Sequence, residues 1–382
     1  MRRPDADDLG YLAGLVAGAL GLVAFGFVEA YESRWLAAND FSGIWAGGRA
    51  IVLGLDPYDP ATWQATALSL QGQLPESRVY GYPGWIALAM VPLGALPLRV
   101  AALAWTIVGI ALAATAIRAL LRDRVPGLPA VHALAGVTLL LSQPAFVAFY
   151  NGQWSFVLLA LTSFAVLQLH RRPALAGMAG AAALLAKPQL FLLALPVLAR
   201  NATGRAAVAA LVVVLAAVVA ALALAPGWPG AYVEHVLAAR LPGRPRATTL
   251  PTALFDLFGP AGLWLAAATL IGLALASIRL GRGDAGLAVA LALSVAFAPY
   301  AWSYDQLLLL VPLILACGVL RRGDRSGALA LATAGTSLLL VAALLLHGLY
   351  ADPRASESLN GLVSGAVAVL VTALLLRHRG AP

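Results

Sequence analysis

Apolar runs, many of them near the roughly 20 residues a helix needs to cross the hydrocarbon of a bilayer, recur along this chain between short loops rich in arginine. They run from Leu9 to Val28 and near 98 to 118, 131 to 149, 154 to 169, 174 to 186, 188 to 199, 206 to 225, 260 to 279, 285 to 301, 305 to 320, 326 to 347 and 359 to 376. In lipid an open chain satisfies its backbone groups only as helix. The pattern therefore predicts an all-α polytopic membrane protein with about 12 transmembrane helices. Composition agrees, with 61% hydrophobic and 11% charged residues, where soluble domains carry roughly a quarter charged. An ordinary soluble enzyme is excluded. The net charge of +8 would suggest nucleic acid in a soluble protein, but in a membrane chain basic residues first report orientation. No nucleic-acid partner is expected; membrane lipids are.

Arg and Lys in short loops stay cytoplasmic, and a 12-span scheme puts one set of loops inside. Those loops hold Arg118, Arg122 and Arg124, then Arg171 and Arg172, Arg200 and Arg205, Arg279 and Arg282, Arg321, Arg322 and Arg325, and Arg377 and Arg379. Both termini are then cytoplasmic. The first apolar run follows Arg2 and Arg3 without a small-x-small cleavage site, so it reads as a retained anchor. The Arg-heavy, Ala-rich composition with one Lys points to the cytoplasmic (inner) membrane of a GC-rich bacterium. Under this scheme Trp85 to Leu96 is not a crossing but a surface helix, being too short to span. The pair 174 to 186 and 188 to 199, split by Lys187-Pro188, is two short spans or a re-entrant hairpin.

The whole chain, 1–382, reads as one membrane domain with an outer loop at 29–83, an interfacial helix at 84–97 and a second outer loop at 226–258. Cys317 is the only cysteine and five histidines are scattered, so no cysteine-based metal site or disulfide can form. There is no phosphate-binding glycine loop ending in Lys-Ser or Lys-Thr, no His-Glu-x-x-His, and no Asp-x-Asp pair in the outer loop. Neither a metal nor another cofactor is expected, and the chemistry falls to carboxylates, Arg, Tyr, Asn and Lys187.

The first outer loop is long enough to be functional. It holds Asn39-Asp40-Phe41, a helical piece from about Phe41 to Leu53, then Gly54-Leu55-Asp56-Pro57-Tyr58-Asp59-Pro60 and Tyr80-Gly81-Tyr82-Pro83. Downstream come Asn151-Gly152-Gln153, the small-residue helix Gly177 to Ala186 leading into Lys187-Pro188, and Pro299-Tyr300-Ala301-Trp302-Ser303-Tyr304-Asp305-Gln306. In this order the blocks resemble family 87 of the glycosyltransferases, multi-span enzymes of the GT-C class, with Tyr82-Pro83-Gly84 standing where relatives carry Tyr-Pro-Pro. The resemblance implies a GT-C-like fold whose long outer first loop contains short surface helices. It also implies a polyprenyl-phosphate sugar donor, typically the mannose form, and a lipid or glycan acceptor outside the cell.

Attack by an acceptor hydroxyl on an anomeric carbon calls for a base, and a carboxylate suits an oxocarbenium-like transition state. Asp40 is the candidate by analogy with the class; an Asp before a helix is equally suited to N-capping. The lipid-phosphate leaving group calls for a cation. Lys187, in a helical break, either serves that phosphate or snorkels to the interface. Arg240, Arg244 and Arg246 break the inside bias and either grip the donor phosphate or an anionic headgroup, or line a solvated loop. Arg49 either reaches substrate or pairs with Asp56 or Asp59. Asn151 and Gln153 either bond sugar hydroxyls or satisfy backbone ends. Tyr82, Trp302, Tyr304 and Asp305 are further substrate-binding candidates, at a span mouth where aromatic belts and caps are also usual. The alternative function, a polytopic transporter or lipid flippase, would pair intramembrane charges along a pathway and show two related halves; the spans are nearly free of acids.

Overall fold

The computed structural model describes residues 5–30, 39–72, 77–238, 247–348 and 357–380, and every regular element among them is helical. The first long connection follows α1 (Ala6–Ala30) and contains α2 (Asp40–Val52), α3 (Trp63–Gln71), α4 (Gly84–Ala89) and α5 (Val91–Gly94). The bundle continues with α6 (Leu98–Arg124), α7 (Pro129–Leu141), α8 (Gln143–Tyr150), α9 (Ser155–Gln168), α10 (Pro173–Ala186), α11 (Leu195–Asn201) and α12 (Gly204–Leu224). Then come α13 (Trp228–Tyr232), α14 (Leu250–Phe258), α15 (Pro260–Leu280), α16 (Asp284–Ala296), α17 (Leu310–Leu320), α18 (Arg325–Ser337), α19 (Ala343–Gly348) and α20 (Gly361–Gly380).

Among the described residues seven helices are long and apolar enough to cross a membrane: Leu98–Arg124, Pro129–Tyr150, Gly204–Leu224, Pro260–Leu280, Ser303–Leu320, Arg325–Leu346 and Glu357–Gly380. The chain is a polytopic membrane protein. Three more of the expected runs form shorter apolar helices, α9, α10 and α16. The run 188 to 199 differs: after the break at Lys187 it forms a three-residue 3-10 turn and then the seven-residue α11. Pro188 and Pro196 each remove a backbone donor there. The piece from Trp85 to Leu96 is likewise no crossing, being split into α4 and α5.

Packing follows residue size. Helices in lipid approach closely only where side chains are small. A Cβ on Gly14 of α1 would lie 2.1 Å from the Ala133 carbonyl oxygen, and one on Gly136 of α7 would lie 2.7 Å from that of Tyr11. These two helices thus touch backbone to backbone. The centre is α16 with the segment Ser303–Leu320, nearly all of whose side chains are buried.

The basic loops meet at one end of the bundle. Asp8 pairs with Arg118 at 2.9 Å and Arg122 at 2.5 Å, and Arg124 with Asp284 at 3.3 Å. Arg171 pairs with Asp123, Arg325 donates to the Gly127 carbonyl at 2.6 Å, and Arg379 donates to that of Arg279. Along α6, Trp105 stands roughly 20 Å from Arg118 by helical rise, and its indole donates to the Gly152 carbonyl at 3.0 Å. The segments around Gly152 therefore gather at the opposite end.

At that end α2 lies on α4 and α5. The Trp45 indole donates to the carbonyls of Leu93 at 3.1 Å and Leu96 at 3.2 Å. The helix stops where Gly54 takes a φ of 72°, a left-handed value glycine adopts without a Cβ penalty. The returning chain is held by phenols: Tyr58 donates to the Tyr82 carbonyl at 2.7 Å and Tyr80 to that of Ile44 at 2.9 Å. Burial pushes both hydroxyls above the ordinary phenol range.

Candidate active site

Asp40 stands at the start of α2. The cap is its neighbour: Asn39 has extended backbone and its side-chain oxygen accepts from the Ser42 N–H at 3.2 Å. Asn caps as well as Asp, and with that position taken Asp40 becomes the first helical residue, with an exposed side chain. The N-cap alternative for Asp40 is thereby corrected. A carboxylate in the first turn is favoured by the helix dipole.

Facing it is the turn Asn151-Gly152-Gln153. The Phe41 N–H donates to the Asn151 carbonyl at 3.1 Å. Gly152 has a φ of 59°, and a Cβ there would lie 2.5 Å from that of Phe41, so only glycine admits this approach. The Phe41 ring lies 6.1 Å from Trp105, which meets Trp154 edge-on at 4.8 Å. Locked in this way, the turn directs the Gln153 amide to donate to Asp40 Oδ2.

The third component comes from the end of α10 and from Ser303–Leu309. Lys187 Nζ donates to Asp305 Oδ1 at 2.7 Å and lies 4.5 Å from the centre of the Tyr304 ring. The Lys187 side chain is 11% exposed and that of Asp305 1%, so this is a buried ion pair with a cation–π contact. The second Asp305 oxygen accepts from the Trp302 N–H at 3.1 Å, and the Trp302 indole donates to the Tyr300 hydroxyl at 2.5 Å. Asp40, Tyr82, Tyr300 and Asp305 all lie within electrostatic range of the Tyr304 hydroxyl. Trp85 seals one side, donating from its indole to the Leu185 carbonyl at 2.8 Å, two residues before Lys187.

Asp40, Tyr82, Asn151, Gln153, Lys187, Trp302, Tyr304 and Asp305 are thus brought together from five separate stretches of sequence. Arg49 is not among them: its guanidinium donates to the Gly94 carbonyl at 3.1 Å, and among the described residues it forms no ion pair with Asp56 or Asp59. Asp56 instead accepts from the Tyr58 N–H at 2.8 Å, an Asx turn. Arg240, Arg244 and Arg246 lie outside the described residues. Sequence reasoning missed several residues that shape the site, among them Asn39, Trp105 and Tyr300. Asn39 was legible as a capping type one position before Asp40, whereas nothing in the local sequence marks Trp105 or Tyr300 as partners of distant segments. Among the described residues no three His, Cys, Asp or Glu side chains converge as metal ligands do.

Chemically the cluster offers an exposed carboxylate held by a neutral amide, a nearby lysine ion-paired to a second carboxylate, and phenol and indole surfaces. That set suits proton abstraction beside an anion, with aromatic faces for a sugar. No curated protein and no solved structure matches the chain. The family model for Glycosyltransferase family 87 matches residues 80–298, a stretch that includes Tyr82, Asn151, Gln153 and Lys187 and stops short of Trp302. With more than half of its length matched, the chain belongs to glycosyltransferase family 87 and is a membrane glycosyltransferase.

Proposed function

We propose that this glycosyltransferase moves a sugar, mannose, from a polyprenyl-phosphate donor to a hydroxyl of a lipid or glycan acceptor at the outer face of the cytoplasmic membrane, with Asp40 as general base. One observation carries the reading: Asn39 takes over the capping duty, which leaves the Asp40 carboxylate exposed beside Gln153 and near Tyr304, the residue whose ring lies under Lys187. The acceptor oxygen attacks the anomeric carbon, its proton passes to Asp40, and the bond from that carbon to the phosphate oxygen breaks, releasing polyprenyl phosphate with inversion. Lys187 faces the departing phosphate. Its ammonium has three donors, of which Asp305 uses one. Arg240, Arg244 and Arg246 add positive charge from the second outer loop, and Tyr82, Asn151, Trp302 and Tyr304 contact the sugar.

The membrane setting is consistent with this donor. Nucleotide sugars stay in the cytoplasm, so an enzyme working at the end away from its arginine loops needs a sugar carried by lipid. Membranes containing the protein should transfer labelled mannose from polyprenyl-phosphate mannose to extractable lipid or glycan, and empty membranes should not. Asp40→Asn should lower transfer by about 10²-fold or more with folding intact; full activity in that variant would end the base assignment. Uptake of sugar-free lipid into vesicles without any transfer would favour the flippase alternative.

A further inference from the structure

We propose that Gln153 is a positioning residue for the Asp40 carboxylate, setting its direction and its basicity; this rests on the assignment of Asp40 as base. Gln153 is 5% exposed, and its side-chain amide donates to Asp40 Oδ2. Its backbone is fixed independently of that contact. The Gln153 N–H donates to the Ala148 carbonyl at 2.9 Å, the preceding carbonyl of Gly152 is held by the Trp105 indole at 3.0 Å, and the Asn151 carbonyl by the Phe41 N–H at 3.1 Å. The amide therefore sits at the end of a rigid turn, while Asp40 stands at the start of a helix with its side chain reaching outward. Of the two, Gln153 is the fixed member.

The chemistry of the contact explains why an amide suits this place. A donor to a carboxylate stabilises the ionised form, so the base stays deprotonated in mildly acidic surroundings. A lysine or arginine there would do the same much more strongly and leave too weak a base. A neutral donor on Oδ2 also fixes the plane in which the carboxylate meets the acceptor proton, an orientation worth large factors in rate. Among the described residues the cluster also holds the ionisable groups Tyr82, Tyr300, Tyr304, Asp305 and Lys187. The last two carry opposite charges 2.7 Å apart.

The test uses full-length protein in lipid with polyprenyl-phosphate mannose as donor, following kcat/KM against pH. Gln153→Met keeps the volume and removes the donor. Its acidic limb should move up by about one pH unit, since protonation of Asp40 becomes easier, and its plateau should fall about tenfold. Gln153→Glu should move the limb further, because two carboxylates would share one proton. Combining Gln153→Met with Asp40→Asn should slow the enzyme no more than Asp40→Asn alone, since a partner without its base has nothing left to orient. A purely structural role would make the two losses additive and leave the limb in place. An unmoved limb in both Gln153 variants, with monodisperse protein and an inactive Asp40→Asn, overturns the positioning role alone. A fully active Asp40→Asn overturns the base assignment and the positioning role with it.

Discussion

Lys187 and Asp305 illustrate how residue chemistry is set by burial. Taking two charges out of water is costly, and their attraction repays that only while both are present. Lys187→Met should therefore destabilise the protein by about 3–5 kcal/mol, because it leaves a carboxylate buried alone. Lys187→Met combined with Asp305→Asn should recover most of the thermal midpoint. If Lys187 also serves the donor phosphate, transfer will stay low in that stable double variant. Recovery of both stability and activity would reduce the pair to a structural one. As the only lysine in a helical break, Lys187 could be picked out as unusual from sequence. Its partner could not, being 118 positions away.

At the scale of elements, two devices hold the site: the glycine turn against α2 and the phenol-tied return of the outer loop. Gly152→Ala should cost at least about 1–2 kcal/mol from the left-handed backbone alone, and the added Cβ would press on Phe41. A lower thermal midpoint together with impaired transfer is expected. Wild-type stability with normal kinetics would contradict the close approach. The phenols make a separate prediction. Burial raises the Tyr58 and Tyr80 hydroxyls above their unfolded value near 10. The stability they contribute is fully present below about pH 10 and is lost as pH rises further, because the unfolded chain ionises first. Tryptophan fluorescence or protease sensitivity of the outer loop should change above that pH, and Tyr58→Phe should blunt the change. The helix 40–52, the stop at Gly54 and the turn at Asp56 follow local capping and turn chemistry, which is why they were readable in sequence. The short α11 was less so, since apolarity alone cannot tell a span from a proline-broken return.

On the scale of the whole molecule, the arginine loops and the candidate site occupy opposite ends, roughly 20 Å apart along α6. The positive-inside rule would then put the site outside the cell, the sidedness that the proposed function requires. Cys317 is the only cysteine and is buried, so introduced thiols report without background. A membrane-impermeant maleimide should label Ala61→Cys in intact cells and Arg172→Cys only after permeabilisation. The reverse pattern would remove the lipid-carried sugar from the reading altogether.

By itself the sequence determined the solvent, the secondary structure and the sidedness to be tested, because apolar run length, proline breaks and the placement of arginines are local properties that act wherever the chain goes. Which polar residues share a site was decided only by tertiary structure. Asp40, Gln153, Lys187 and Asp305 are far apart along the chain; the close approach of Gly152 to Phe41 joins the first two segments and a buried ion pair joins the last two. Arg49, two to three turns along the same helix as Asp40, is carried away from them to a backbone carbonyl, since helical geometry fixes where each side chain faces and packing then chooses its neighbour.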